Sequence, residues 1–363
     1  MNSGLLILIL LVLRAALLTA QDDEKDARCK QYLQTPLPTE AQAVVQPKAW
    51  PNCDSYKSYS GLGRKVDYDA ARQCAWQERL ATQAELEPRY TVGSIFGGSA
   101  MLTALYANGE GVKANLALAA RFACEAGGAP AEIGIRLDHL ESRGKPGPEK
   151  AKFDFCDDIT SGFMEGFCAG YSSEIGDQTR ESAIKELLAR MPKGLRQGFD
   201  DLVRAEQAYS RAHGSGEIDS SGTARAMYAI DAEDTLREDF VAALKLFEQG
   251  KGFPQGTDGE YRAVDAKLNS TYRSVLSNAE ARKSDYGAVQ PEQIRVAERA
   301  WLRYRDLFVA FALLRYPTVP KGAWLTLLTQ DRTSILDGSF CDMDETEGKC
   351  AWQGDTWKPS PLP

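Results

Sequence analysis

The sequence predicts an all-α protein, stabilised by disulfides, in which a short helical-repeat region precedes two similar helical modules. Three observations carry this. First, apolar residues recur at helical steps: Ile294, Ala297, Trp301, Tyr304, Phe308 and Phe311 form one stripe at alternating intervals of three and four. Second, no segment alternates apolar and polar residues as a half-buried strand would. Third, the chain echoes itself twice, at offsets of 48 and 92 residues, the mark of stacked helical units.

The elements follow in order. Leu5 to Leu13 are nine apolar residues, followed by Arg14 and the run Ala15 to Ala20. Nine helical residues span about 14 Å, too little for a bilayer core of about 30 Å. Residues 1–20 therefore read as an export signal cut after Ala20, leaving no stable membrane span. Residues 21–51 are polar and carry Pro36, Pro38 and Pro47, and read as a linker.

Residues 52–142 hold the first echo: Gly61-x-Gly63, Asp67 and Ala71 recur as Gly109-x-Gly111, Asn115 and Ala119. The physics is a helix–turn–helix unit. Glycines enter the left-handed turn, Asp67 or Asn115 caps the next helix, and the alanines permit close packing. The segment Tyr106 to Val112, with Asn115, Ala119, Phe122 and Ala126, resembles the Sel-type, tetratricopeptide-like repeat. Pro146 and Pro148 mark the boundary that follows.

The second echo divides residues 153–250 from 257–340. Ala205 to Arg211 recurs as Ala297 to Arg303, 92 residues later. Thr257-x-x-Glu260 is a capping box, Pro291 opens one helix and Pro317 closes it. Met227, Ile230, Leu236, Phe240 and Phe247 form another amphipathic face. Trp301 and Tyr304 are expected in the core, with Arg305 at its edge. The pattern Asp265-x-x-Leu268-Asn269-x-x-Tyr272, then Arg299-Ala300-Trp301-Leu302-x-Tyr304-Arg305-Asp306, then Arg332, resembles the LprI-type lysozyme-inhibitor-like module. Cys156, Cys168 and Ala205 to Arg211 are similar to an earlier copy, with Tyr209 in the Trp position. The resemblance implies an exported bacterial protein, a helical fold and binding to lysozyme.

Composition limits the chemistry. Lys and Arg number 43 against 51 Asp and Glu, a net charge of −8. This disfavours a nucleic-acid partner, which needs a basic surface, and suits a basic protein partner. With two histidines, His139 and His213, neither a Ser-His-Asp triad nor a multi-histidine zinc site is expected. His139 reads as a helix-surface residue and His213 as a helix-end residue. No catalytic residue, metal or cofactor is expected. Eight cysteines without a C-x-x-C pair, behind an export signal, read as a disulfide framework. The local pairs are Cys156–Cys168 and Cys341–Cys350, and Cys29, Cys53, Cys74 and Cys124 allow three connectivities.

The segment 341–363 is a Cys-bracketed acidic loop and tail. Asp342, Asp344, Glu345 and Glu347 are its candidate binding residues, and their spacing is not that of a calcium loop. Together these features point to a periplasmic or secreted, non-catalytic, protein-binding protein whose partner is lysozyme or another basic envelope protein. The alternative is an envelope scaffold presenting its helical repeats. The third reading is a cell-wall hydrolase using two carboxylates.

Overall fold

The computed structural model describes residues 28–43, 53–83, 95–146 and 151–339. The expected signal at 1–20 lies outside the described residues. So do Cys341, Cys350 and the acidic candidates Asp342, Asp344, Glu345 and Glu347. The described chain is all-α, with no strand among the described residues. It forms two compact units, Met1–Glu165 and Gly166–Pro363.

The first unit contains α1 (Ser55–Ser60), α2 (Tyr68–Gln83), α3 (Gly98–Asn108), α4 (Leu116–Ala126) and α5 (Pro130–Arg143). The 48-residue echo is a repeated piece of geometry. After α1 the amides of Gly61 and Leu62 return to the Lys57 carbonyl; after α3 those of Gly109 and Glu110 return to Leu105. Gly61 and Gly109 sit at φ 77° and 71°, where a side chain would be strained. Asp67 then caps α2 through the Ala70 amide at 2.9 Å. Asn115 caps α4 through the Leu118 amide at 3.1 Å. Ala71 and Ala119 are fully buried.

Two disulfides settle the open connectivity: Cys29–Cys124 and Cys53–Cys74, with Cα separations of 5.5 and 5.2 Å. The first corrects the linker reading for residues 28–43. Cys29 is tied to α4, Arg121 donates to the carbonyls of Leu33 and Thr35, and the Tyr106 hydroxyl donates to Glu40 at 2.6 Å. The unit also runs past Pro148. Phe153 is buried, its amide donates to Asn108 at 2.8 Å, and Glu132 accepts from the Thr160 and Ser161 amides.

The second unit holds α6 (Gly162–Arg190), α7 (Arg196–Gly216), α8 (Arg225–Glu248), α9 (Asp258–Arg282), α10 (Pro291–Arg315) and α11 (Lys321–Ser339). Pro291 stands in the first turn of α10, and Thr257 and Glu260 form the expected capping box before α9. α7 packs along α10 and against α8, and α9 packs along α11. Gly214 is required at the α7–α8 crossing, because a Cβ there would lie 2.5 Å from the Ala229 carbonyl oxygen.

The 92-residue offset extends beyond one helix. Shifted by 92, residues 166–190 of α6 fall on Asp258–Arg282, the bounds of α9. α7 falls largely on α10, and α8 on α11. One core gathers Tyr209, Leu268, Val275, Ile294, Trp301 and Leu336. The other is aromatic, with Phe199, Phe247, Phe308, Tyr316 and Trp324. Trp301 and Tyr209, equivalent in the echo, are 2% and 3% exposed and share the first of these cores.

Candidate functional site

A groove of about 350 Å³ opens between α9 and α10. Helical periodicity builds it. Asp265, Leu268, Asn269 and Tyr272 lie at steps of three, one and three on α9, so one face of that helix carries all four. Arg295, Glu298, Arg299, Trp301, Leu302 and Arg305 supply the facing wall from α10. The apolar lining is Leu268, Tyr272, Trp301 and Leu302. Three guanidiniums surround it, and the carboxylates of Asp265 and Glu298 complete the set.

The groups differ in freedom. The Arg305 guanidinium lies 5.2 Å from the centre of the Trp301 ring and donates to Asp306 at 3.0 and 2.8 Å. That stacking fixes its direction. Arg299 is 61% exposed and reaches Glu292 at 3.0 Å. Arg295 is 44% exposed, with Glu292 at 3.6 Å. These two are surface pairs and cost little to redirect toward a partner. The Asn269 amide nitrogen donates to Asp265.

A closed ionic network anchors the groove from behind. Arg332, fully buried, donates to Glu217 at 2.7 and 2.8 Å, to Glu298 at 3.0 Å and to the Tyr209 hydroxyl at 3.3 Å. His213 Nδ1 lies 2.8 Å from Glu217. Burial alone would raise the Glu217 carboxyl, but the charge and hydrogen bonds of Arg332 override it and hold it at about 2. Burial does raise Glu298, against the opposing pull of Arg332. Burial also raises the Tyr272 hydroxyl, with Glu298 adding to it. This network holds α7, α10 and α11 in register. Among the described residues, no group of three or more His, Cys, Asp or Glu side chains is placed to hold a metal ion.

The structure brings together most of what the sequence motif contained. Eight groove residues, all but Arg295 and Glu298, are the motif positions quoted above. Trp301 is mainly core, as expected, with one edge in the groove. His213 stands in the last turn of α7, as expected, and there it is 5% exposed and paired with Glu217. His139 is partly exposed, 3.2 Å from Asp158. Glu217 and its tie to Arg332 were not visible in sequence. No spacing rule links residues 115 apart.

Residues 255–334 match the family described as Lysozyme inhibitor LprI. The matched stretch takes in the whole groove and Arg332, whereas Tyr209, His213 and Glu217 lie outside it. A protein of Rhizobium meliloti (strain 1021), described as uncharacterized, is 40% identical over 55 residues, 14% of this chain. The chain spans 40% of that relative's length. No solved structure matches. The matched segment carries 12 Lys and Arg against 9 Asp and Glu, a net +3. The acidity of the chain therefore resides elsewhere.

Proposed function

We propose that this chain is an exported, non-catalytic, lysozyme-inhibitor-like protein that binds its partner through the α9–α10 groove. The observation that supports it is a coincidence of positions. The segment matching the inhibitor family is also the segment whose motif residues line a groove. Tyrosine, tryptophan and arginine around a partly desolvated depression are the residue types that dominate protein–protein binding energy.

The charge of the module sets the mode of binding. A lysozyme-class glycosidase carries a pair of carboxylates in its cleft. The exposed guanidiniums of Arg295 and Arg299 suit those carboxylates, which accept bidentate hydrogen bonds from arginine. The acidic remainder of the chain, with the Asp342–Glu347 loop as a further contributor, steers a basic enzyme into place. Occupying the cleft blocks substrate without chemistry. No helix of the described residues is long and apolar enough to cross a membrane. The disulfides fit an oxidising compartment, and we assign the protein to the periplasm or the medium.

Calorimetric titration of lysozyme into the full chain tests the reading. One-to-one binding that Arg295→Ala/Arg299→Ala weakens at least tenfold supports it. No heat at micromolar protein and low salt contradicts it.

A second reading rests on the 48-residue geometry of the first unit. Two helix–turn–helix units with the same caps and turns are the building block of a stacked scaffold of Sel type. In that reading residues 52–142 form the docking element.

A further inference from the structure

The segment that matches the inhibitor family is cationic, and the chain that follows it is anionic. Residues 255–334 carry a net +3, whereas residues 340–363 carry 2 Lys against 5 Asp and Glu, a net −3. Four of those acids fall within six residues, Asp342 to Glu347, with no base among them. On the α10 wall of the groove, Arg295 and Arg299 are both exposed and share one carboxylate, Glu292, at 3.6 and 3.0 Å. The other acids nearby are already engaged. Glu298 is committed to Arg332 at 3.0 Å, Asp306 to Arg305, and Asp265 accepts from the Asn269 amide at 3.1 Å. Arg295 and Arg299 are therefore the guanidiniums with capacity for a further carboxylate.

α11 brings the end of the described chain close to this groove. Leu336, in its last turns, shares a core with Leu268 and Trp301, which also line the groove. Asp337 lies 3.9 Å from Lys267, the neighbour of Leu268 on α9. Asp342 follows Ser339 by three residues and Glu347 by eight. At about 3.5 Å per extended residue, those spans reach about 10 and 28 Å. That is enough to pass round a helix of about 10–12 Å diameter. Met343 stands between two of the acids. It is an adaptable apolar side chain, suited to a lining of Leu268, Tyr272 and Leu302.

We infer that the acidic segment Asp342–Glu347 seats in the α9–α10 groove of its own chain, its carboxylates answering Arg295 and Arg299, and competes there with the partner. The inference rests on the proposed function for the identity of that partner, whose cleft carboxylates the segment imitates. Tethering makes the competition effective. A short flexible linker gives an effective concentration of about 1 mM. A segment with a Kd of about 0.1 mM then fills the groove about nine times in ten and weakens a competitor about tenfold. Displacement by the partner frees the same acids to face a basic enzyme.

The test uses the full chain and a fluorescent peptide of residues 340–350, bridged between Cys341 and Cys350. The variant Asp342→Asn/Asp344→Asn/Glu345→Gln/Glu347→Gln removes the carboxylates that hold the segment in the groove. The control Glu174→Gln/Glu181→Gln/Glu186→Gln/Glu280→Gln makes the same net charge change at exposed positions outside the groove. Circular-dichroism melts establish that both variants fold. At low salt the peptide should bind the segment variant about tenfold more tightly than it binds wild type, and the control less than twofold more tightly. Adding Arg295→Ala/Arg299→Ala to the segment variant should weaken peptide binding at least tenfold. Equal tightening in variant and control, no tightening, or binding indifferent to the two arginines overturns the inference. None of these outcomes needs lysozyme. Peptide binding as expected, with no binding of lysozyme, keeps the seated segment and sinks the proposed function. Lysozyme binding with no peptide binding does the reverse.

Discussion

Arg332 and Glu217 form a bidentate ion pair at 2.7 and 2.8 Å with neither side chain exposed to solvent. One partner lies inside the segment that matches the inhibitor family and the other lies outside it. The module therefore depends on a residue at the end of α7. Removing one member of a buried pair strands the other, at a cost of about 3–5 kcal/mol. Glu217→Gln and Arg332→Leu should each lower the midpoint of urea unfolding accordingly. Residues 255–334 expressed alone should be largely unfolded by circular dichroism, while 166–339 should be helical. A stable isolated segment would show that the pair is dispensable.

The two buried glutamates of α7 and its end respond to pH in opposite senses. Glu217 is held at about 2 in the folded state, below its unfolded value near about 4.3. Its contribution is present above that unfolded value and is lost as pH falls toward 2. Burial raises Glu206 to about 7. The folded state then holds a proton that the unfolded state releases, so this contribution is present at low pH and lost as pH rises through 7. Glu206→Gln should therefore raise the melting temperature at pH 8 and change it little at pH 5. A variant less stable than wild type at pH 8 would mean that Glu206 is ionised and paired.

Trp301 anchors the core behind the α9–α10 groove. Trp301→Ala should cost roughly 3–5 kcal/mol, as for a large aromatic truncated in a packed interior, and Tyr209→Ala should also destabilise. Unfolding curves check this. Unchanged stability with lost binding would make Trp301 a contact residue.

The disulfides make a separate prediction for the first unit. In the loop-entropy model, Cys29–Cys124, 95 residues apart, contributes about 5 kcal/mol, and Cys53–Cys74, 21 apart, about 3 kcal/mol. Non-reducing peptide mapping should recover both. Cys156 and Cys168 are each disulfide-bonded, and we propose that they pair locally, as do Cys341 and Cys350. Free thiols at these positions would contradict that framework.

Much of this architecture was legible because helices write their packing into short spacings. The Ile294 to Phe311 stripe, the Gly61 and Gly109 turns and the Asp67 and Asn115 caps depend on residues three or four apart. The groove was less legible: Asp265 to Tyr272 and Arg299 to Arg305 each mark one helical face, but the spacing of Trp301 and Tyr304 read as core and the acidic run Asp342, Asp344, Glu345 and Glu347 drew the binding assignment. Long-range choices left no such mark. Nothing in spacing selects Cys124 rather than Cys53 or Cys74 for Cys29. The Glu217–Arg332 and Tyr106–Glu40 contacts depend on how helices cross. The 92-residue echo in sequence covered one helix, whereas the bounds of three helix pairs follow that offset.

Inhibition of lysozyme on purified cell wall tests the central claim most directly. The clearance rate should fall in proportion to added protein, with the end point near one equivalent, and inhibition should weaken as salt screens charges over about 10 Å at 0.1 M. The Arg295→Ala/Arg299→Ala variant should inhibit at least tenfold less well. Undiminished clearance at micromolar protein and low salt, or hydrolysis of the wall by this protein alone, would contradict the account.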